Sequence, residues 1–280
     1  MGGLTPEEPS SVALERQGRL DARLRDLGSL LVAFSGGVDS AYLAVRAHQV
    51  LGARSLAVTA LSDSLAQDQR EAAEEVGRRF GIRHLLVETN EMADPLYVQN
   101  DGQRCYRCKS ALFARLLPLA AESGLRHVAY GRIVDDMSDF TPGHKAALEA
   151  GVVTPLVDVG LTKADIRELS RALGLPTWDR PASPCLASRL PYGMRVTPEA
   201  LRRVERAEAA LRGLGFRELR VRHLGEAARV EIAPAELVRL ADDAVRRGVV
   251  EAVRGAGYER VEIDPAGYRR GRLNEALLVL

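Results

Sequence analysis

The sequence is poor in cysteine, lysine and aromatic side chains, and these shortages exclude several classes of protein. Its 280 residues contain 3 Cys, and 5% are aromatic. Three cysteines are too few, and odd in number, for the disulfide framework of a secreted scaffold, so we expect a reducing, cytoplasmic location. Lysine occurs only at Lys109, Lys145 and Lys163, so nearly all of the 39 basic residues are arginine. We attribute most of these arginines to compositional bias.

Long apolar runs and a strong net charge are also missing. No stretch reaches the roughly 18 to 20 uncharged apolar residues of a membrane span, and residues 1–26 contain no secretory core. The net charge of +1 makes a basic coat for nucleic acid unexpected. We therefore expect no membrane partner, no nucleic-acid partner and a small-molecule substrate.

Apolar runs alternate with helical patterns in the first part of the chain. The predicted strands are 30–34, 56–60, 84–87 and 127–131. The predicted helices are 40–51, about 66–80, about 109–122, and one that Thr162 opens with Asp165 in a capping box. Alternation of this kind predicts an α/β fold with a doubly wound, mostly parallel sheet, whose ligands bind beyond the carboxyl ends of the strands.

The length suggests about two domains, and the pattern changes after residue 177. Residues 178–197 contain three prolines and no periodicity, which indicates a linker or functional loop. Beyond it we predict a helix at 198–214, two strands joined at Gly225 and Glu226, a helix at 234–248 and a strand in RVEIDP. The domains are thus 1–177, the loop 178–197, and a smaller α+β domain at 198–280.

A glycine turn, Ser-Gly-Gly-Val-Asp-Ser at 35–40, follows the first predicted strand and opens a helix. Two glycines allow close approach of the backbone to a ligand, and the amide groups at a helix start can hold phosphate. The segment lacks the endings of the ordinary P-loop and of dinucleotide-binding turns. It resembles the PP-loop of ATP pyrophosphatases, which cleave ATP to AMP and pyrophosphate while adenylating a substrate oxygen.

That resemblance implies an ATP site with a bound magnesium ion. Ser35, Gly36, Gly37 and Ser40 would hold the terminal phosphates, and Asp39 would help to place Mg²⁺. By position, the adenine and ribose should lie near Thr59 and Gly131, at the ends of later strands. Asp135 and Asp136 follow the fourth strand and are equally well explained as ligands of metal or ribose and as a solvated acidic pair.

The three cysteines allow several interpretations. Cys105 and Cys108 form a C-x-x-C pair at a predicted helix start, which is typical of a redox pair, half a zinc site, iron–sulfur ligands or inert thiols. No second pair and no suitably spaced histidine completes a zinc site. Cys185 lies in the proline-rich loop between Arg180 and Arg189, a setting that favours the nucleophilic thiolate.

Taken together, the motifs resemble one family, LarE, over nearly the whole chain. The motifs are SGGVDS, RCYRCKxxLF, SPCLASR, RVRHLGxxARVEI and GYRRGRLN. The resemblance implies an adenine nucleotide alpha hydrolase-like fold and an ATP-dependent sulfur transferase. Its substrate would be pyridinium-3,5-biscarboxylic acid mononucleotide, whose carboxylate is adenylated and converted to a thiocarboxylate for the nickel-pincer nucleotide cofactor of lactate racemase.

The family offers two sources of sulfur. In members with one loop cysteine, that residue loses its sulfur and becomes dehydroalanine; in members with three, the cysteines hold a 4Fe-4S cluster whose open iron binds an extra sulfide. This chain has the second pattern, in Cys105, Cys108 and Cys185. We favour the cluster and keep sacrifice of Cys185 as the alternative; the source of the sulfide is unknown.

A basic region points to an anion site in the C-terminal part. Between residues 180 and 222 ten basic residues face four acidic ones. Arg220 and Arg222 share one face of a predicted strand, where two guanidinium groups can bind a phosphate. The resemblance assigns this substrate-phosphate site to four residues and suggests two glutamates as metal or polar ligands: Ser188, Arg220, Arg222 and Arg269, with Glu208 and Glu231. It also implies a homo-oligomer, formed through this domain.

Three other functions use some of the same features. PP-loop tRNA thiolation also uses three cysteines, but a net charge of +1 and three lysines are poor resources for tracking phosphates. Amide ligation, as in NAD or GMP synthesis, leaves the cysteines unexplained. A nucleotide sensor or electron-transfer module would bind ATP without cleaving it.

Overall fold

The computed structural model describes residues 8–137, 142–269 and 271–272. Within these ranges the chain divides into two compact units. The first unit comprises the chain up to Glu91 together with Cys105–Ser183, and the second comprises Met92–Arg104 together with the chain from Pro184 onward. No helix in the described ranges has the length and apolarity to cross a membrane.

The described elements alternate in the first unit and are mixed in the second. The strands are β1 (Leu30–Ala33), β2 (Ser55–Leu61), β3 (His84–Glu88), β4 (His127–Tyr130), β5 (Leu219–Leu224), β6 (Ala227–Ile232) and β7 (Arg260–Ile263). The helices are α1 (Ser11–Leu27), α2 (Val38–Leu51), α3 (Gln67–Arg79), α4 (Pro95–Val98), α5 (Arg104–Glu122), α6 (Pro142–Glu149), α7 (Pro155–Asp158), α8 (Lys163–Ala172), α9 (Pro198–Gly213), α10 (Pro234–Leu237) and α11 (Asp243–Gly255).

The first unit contains a four-stranded, all-parallel sheet in the order β3-β2-β1-β4. Successive residues of β1 serve different cores, because side chains alternate across a strand. Leu30 and Val32 belong to a core with residues of α1, α2 and α8, whereas Leu31 and Ala33 belong to a core with residues of α5. The predicted α/β class and all four predicted strands are confirmed. The order changes direction beside β1, so β1 and β4 mark the position where such sheets bind ligands.

Two helices differ from the sequence-based expectation. Helix α1 was not predicted; Ser10 caps it by accepting a hydrogen bond from the amide of Ala13 at 3.3 Å. Helix α5 begins at Arg104 rather than near Lys109, so Cys105 and Cys108 lie in its first turns. Three residues apart on a helix, the two cysteines share one face.

The second unit contains a three-stranded sheet in the order β5-β6-β7, in which β5 pairs with β6 antiparallel and β6 pairs with β7 parallel. Side chains of α9 and α11 share its hydrophobic core. The prediction of one helix at 234–248 is wrong. Helix α10 and a short 3₁₀ turn end before Asp242, whose carboxylate accepts hydrogen bonds from the amides of Ala244 and Val245 and so starts α11.

The two units do not divide where the sequence pattern changes. The loop predicted at 178–197 is split after Ser183, and the second unit also includes Met92–Arg104. Hydrogen bonds explain this inclusion, because the amide of Val196 donates to the carbonyl of Val98 at 2.9 Å. Such a pairing between distant stretches has no periodic signature in the sequence.

Candidate active site

The glycine turn of the first unit connects β1 to α2 and is organised by one hydroxyl group. The Oγ of Ser40 accepts a hydrogen bond from the amide of Ser35 at 3.2 Å and donates to the carbonyl of Gly37 at 3.1 Å. Gly37 is the N-cap of α2. The turn therefore presents the free amide groups of a helix start, which is the geometry that binds phosphate.

Two glycines permit close backbone packing around this turn. Gly36 has a φ of +74°, and a Cβ there would lie 2.2 Å from the carbonyl oxygen of Gln69. A Cβ on Gly131, which follows β4, would lie 2.6 Å from the amide nitrogen of Ser40. Any side chain at either position would displace backbone atoms, so both glycines are required by the geometry.

A cavity of about 250 Å³ opens at the carboxyl ends of β1, β2 and β4. Six of the seven residues assigned to ATP from the sequence line it, and Gly36 lies between two of them in the chain: Ser35, Gly37, Asp39, Ser40, Thr59 and Gly131. Lys109, Leu112 and Tyr130 line it as well. The structure therefore brings the predicted nucleotide-binding residues together around one space.

Thr59 lines the cavity, but its hydroxyl group is already engaged. It donates to the carbonyl of Phe34 at 2.6 Å, and its second partner is Nε2 of His84 at 2.8 Å. Because the carbonyl can only accept, His84 must carry its proton on Nε2 and donate to Thr59. Burial lowers the pKa of His84, which favours this neutral form.

Asp39, the predicted magnesium ligand, is paired with a lysine. Both its carboxylate oxygens accept hydrogen bonds from Nζ of Lys163, at 2.6 and 2.5 Å. Burial raises the pKa of Asp39, and the Lys163 ammonium group only partly offsets this effect. The adjacent acidic residues are also engaged: Asp135 accepts from the amide of Lys163, and Asp136 accepts from the amide of Ile133.

The C-x-x-C helix contributes to the same unit. Cys105 and Cys108 are half-buried free thiols. Lys109 follows them in α5 and lines the nucleotide cavity, with its Nζ 5.1 Å from the ring centre of Tyr130. A Cβ on Gly143 would lie 3.1 Å from the carbonyl oxygen of Cys105, so α6 packs closely against this turn.

Gln69 contacts two parts of the first unit. Its carbonyl oxygen faces Gly36 of the phosphate turn, as described above. Its side-chain Nε2 donates to the carbonyl of Ser183 at 2.5 Å, close to the end of the first unit. The same residue thus touches the nucleotide turn and the chain that leads to Cys185.

In the second unit, a buried ion pair holds the Cys185 loop. Arg189 and Glu208 are each 1% exposed and form a two-point pair at 2.8 and 2.9 Å. The Nη1 of Arg189 also donates to the carbonyls of Pro184 and Cys185. Since these bonds reach the backbone of Cys185, its thiol does not hold the loop in place.

Glu208 was a tentative metal ligand, but its oxygens are already bonded. Oε1 accepts from Arg189 and from the amide of Val221, and Oε2 accepts from Arg189 and Arg212. Burial opposes its ionisation, but Arg189 outweighs that effect and holds the pKa of Glu208 below its usual value. The structure gives Glu208 the task of anchoring the Cys185 loop.

The predicted phosphate site is partly assembled. Arg222 donates to the carbonyl of Ser188 at 2.9 Å, and the pairing of Arg220 with Glu231 across β5 and β6 sets both arginines on one face. Arg220 is buried, with its guanidinium 4.6 Å from the ring centre of Tyr268. Arg269 is exposed.

Glu231, the second tentative metal ligand, is also paired with arginines. It accepts from Arg222 at 2.9 Å and from Arg272 at 3.3 Å. Among the described residues, no group of three or more His, Cys, Asp and Glu side chains is arranged to hold a single metal ion. Both glutamates therefore act as counter-charges for arginines in this structure.

Comparison with known proteins gives the family. No family model matches the chain. The chain is 43% identical over 252 residues to an uncharacterised protein of Synechocystis, covering 90% of this chain and 94% of the relative. It is 33% identical over 265 residues to the pyridinium-3,5-bisthiocarboxylic acid mononucleotide synthase of Lactiplantibacillus plantarum, covering 94% and 95%. The chain belongs to the LarE family.

Membership in the LarE family makes this chain an enzyme and agrees with its parallel sheet and glycine turn. A second similarity covers less of the chain. One chain of the glutamine-hydrolysing GMP synthase of Archaeoglobus fulgidus is 28% identical over 165 residues, which is 55% of this chain and 53% of the relative. The family expected from the sequence motifs is thus confirmed.

Replacement of Glu208 by Gln tests its anchoring role. Removing one partner of a buried ion pair leaves an uncompensated charge, so we expect the free energy of unfolding to fall by about 3–5 kcal/mol. The lowered pKa of Glu208 means that its contribution is present above the ordinary glutamate pKa and is lost as the pH falls through the lower, folded value. Denaturant unfolding at several pH values measures both effects.

Glu199→Gln is the matched control, because Glu199 lies in the same helix and pairs with Arg203 at the surface. We expect it to cost less than about 1 kcal/mol. Equal losses in the two variants would contradict the anchoring role of Glu208.

Proposed function

We propose that this LarE family member is an ATP-dependent sulfurtransferase that converts a carboxylate of pyridinium-3,5-biscarboxylic acid mononucleotide to a thiocarboxylate, for assembly of a nickel-pincer nucleotide. The observation that carries the proposal is the single cavity in which the glycine turn, Asp39 and Thr59 meet. The name of the Lactiplantibacillus relative supplies the substrate class and the expected product.

The first step is adenylation of the substrate. A carboxylate oxygen attacks the α-phosphorus of ATP, and the bond to pyrophosphate breaks. Amide groups at the start of α2 and the hydroxyl groups of Ser35 and Ser40 would bind the leaving pyrophosphate. Lys109 lines the same cavity and adds positive charge close to the point where two anionic groups must approach each other.

Asp39 fits a magnesium site by the chemistry of its donor atoms. Its carboxylate lies in the cavity, and Mg²⁺ prefers oxygen ligands shared between one or two carboxylates and substrate phosphates. Lys163 holds both carboxylate oxygens in this structure. Arrival of Mg²⁺ with ATP would therefore replace a lysine by a metal ion at Asp39, and would release the Lys163 ammonium group for the phosphates.

The three cysteines fit an iron–sulfur cluster by their chemistry. All three are half-buried free thiols, and thiolates are the ligands of such clusters. Cys105, Cys108 and Cys185 would be the ligands of a 4Fe-4S cluster. When bound, the cluster would supply an iron that lacks a protein ligand and carries the sulfide to be transferred.

In the second step sulfur attacks the acyl carbon of the adenylate, and AMP leaves with the former carboxylate oxygen. The substrate must present this carbon while its own phosphate is held elsewhere. We propose Ser188, Arg220, Arg222 and Arg269 for that phosphate. Arg222 is already balanced by Glu231, so substrate phosphate would share it with the carboxylate.

The experiment that tests the proposal uses the whole protein, reconstituted anaerobically with iron and sulfide. It is incubated with ATP, Mg²⁺ and the pyridinium dicarboxylate mononucleotide. We expect pyrophosphate release that requires the mononucleotide, and a product in which sulfur has replaced oxygen. An ATP analogue with a methylene group between the α- and β-phosphorus atoms is the control, because it cannot release pyrophosphate.

Protein mass spectrometry after turnover separates the two sulfur sources. Unchanged Cys185 with repeated turnover supports cluster delivery. Conversion of Cys185 to dehydroalanine, one per product, supports sacrifice instead. Absence of pyrophosphate release with the mononucleotide would contradict the proposed function itself.

A further inference from the structure

Asn100 has an unusual backbone conformation at the centre of the second unit. Its φ is +58°, the sole positive value among described residues other than glycine, and its side chain is fully buried. Glycine adopts this conformation without steric cost, whereas asparagine must be retained for its side chain. The position therefore calls for an account of what the carboxamide does.

The carboxamide of Asn100 is bonded on both sides. Its Nδ2 donates to the carbonyls of Pro191 and Met194, both at 2.8 Å. Its Oδ1 accepts from Nη1 of Arg104 at 2.5 Å, and the same Nη1 donates to the carbonyl of Ala187 at 2.8 Å. One buried amide thus joins residues that are about ninety positions apart in the chain.

Backbone hydrogen bonds extend the same connection. The amide of Gly193 donates to the carbonyl of Asn100 at 2.9 Å, and the amide of Val196 donates to the carbonyl of Val98 at 2.9 Å. The guanidinium of Arg104 also lies 5.7 Å from the ring centre of Tyr192. We call these two hydrogen-bonded segments, 98–104 and 187–196, the Asn100 latch.

The ends of the latch lie next to cysteines in the chain. Arg104 is bonded directly to Cys105, and Ala187 follows Cys185 by two positions. Arg189, within the latch, donates to the carbonyl of Cys185. The latch therefore controls the backbone on the amino-terminal side of Cys105 and on the carboxyl-terminal side of Cys185.

We propose that Asn100 is a positioning residue, which holds the chain before Cys105 and the chain after Cys185 in the arrangement that cluster assembly requires. The inference rests on the proposed iron–sulfur chemistry, and extends it to a residue that touches neither substrate nor nucleotide. Three thiolates can bind one cluster only if the segments that carry them are fixed together, which is the task of residues behind the ligands themselves.

Asn100→Gly is the most informative variant. Glycine keeps the positive φ and removes only the carboxamide, so the backbone path is retained. We expect the amides of Gly193 and Val196 to exchange hydrogen about 10-fold faster or more, because buried hydrogen bonds nearby are lost. We expect the iron bound after anaerobic reconstitution, and the charge-transfer absorption of the cluster, to fall by about the same factor.

Two further variants complete the test. Gln99→Ala alters the exposed neighbour of Asn100 and should match the wild type in both measurements. Arg104→Lys keeps a positive charge but cannot reproduce the bonds of the guanidinium to Asn100 and Ala187. It should lower iron binding even if Asn100→Gly folds poorly, and thermal unfolding identifies that case.

The outcomes separate the latch from the proposed function. Faster exchange with full iron content in Asn100→Gly would overturn the positioning role. Unchanged exchange would show that the latch does not depend on Asn100. A wild-type protein that binds no iron would contradict the cluster chemistry and hence the purpose assigned to the latch, whatever the exchange measurement shows.

Discussion

Cys185→Ser is expected to stop thiocarboxylate formation while pyrophosphate release continues. Both possible sulfur sources require the Cys185 sulfur, as cluster ligand or as donor, so the loss should be on the order of 10³-fold or more. The loop should survive the change, because Arg189 and Ser188 bond to the carbonyl of Cys185. Measurements of pyrophosphate and of sulfur in the product under the same conditions make the comparison.

Cys105→Ser distinguishes the mechanisms. Cluster delivery predicts a loss similar to that of Cys185→Ser, since both thiolates are ligands. Sacrifice predicts that Cys105→Ser retains one turnover per protein molecule. If Cys185→Ser still catalyses many turnovers, sulfur transfer through this residue is refuted.

Gly131→Ala should weaken ATP binding about 10- to 100-fold. The added methyl group would lie 2.6 and 2.8 Å from backbone atoms of Ser40 and 2.9 Å from the carbonyl carbon of Asp39, none of which can move aside as a side chain could. Overpacking of this kind costs about 1–3 kcal/mol, and each 1.4 kcal/mol is a factor of about ten. Isothermal titration with ATP and Mg²⁺ measures the change.

Gly18→Ala is the control for adding a methyl group. A Cβ on Gly18 meets nothing within 4 Å, and the residue lies inside α1. Alanine should leave ATP affinity unchanged and stabilise the helix by up to about 1 kcal/mol. ATP binding by Gly131→Ala at the wild-type affinity would mean that the turn beside β4 does not shape the nucleotide site.

The fold of the first unit could be predicted well because its signals are local. Apolar runs mark β1 to β4, and Thr162 with Asp165 marks the start of α8, where both halves of the capping box are formed. The 234–248 segment misled because its apolar positions keep a helical period across Asp242. The cap at Asp242 competes with the helix, and the outcome depends on packing that periodicity does not contain.

The candidate site was predictable only where a motif carries its own geometry. The glycine turn does so, and its residues line one cavity. Lys163 was missed as the partner of Asp39, because 124 residues separate them; its rarity in an arginine-rich chain was the available signal. Asn100 offered no signal at all, since its positive φ and its bonds to residues 190–194 exist only in the folded chain. Glu208 was misjudged because an acidic residue looks alike in sequence as a metal ligand and as a counter-charge.

Gln69 has a consequence for communication within the first unit. Its carbonyl sets the space for the phosphate turn, and its amide nitrogen holds Ser183, so one short stretch of α3 feels both ends of the reaction. Whatever tightens the turn around a nucleotide also steadies the strand of chain that delivers the reactive thiol, and by thermodynamic reciprocity a disturbed thiol loop must lower nucleotide affinity. Fuel consumption and sulfur delivery would thereby be kept in step by a single glutamine.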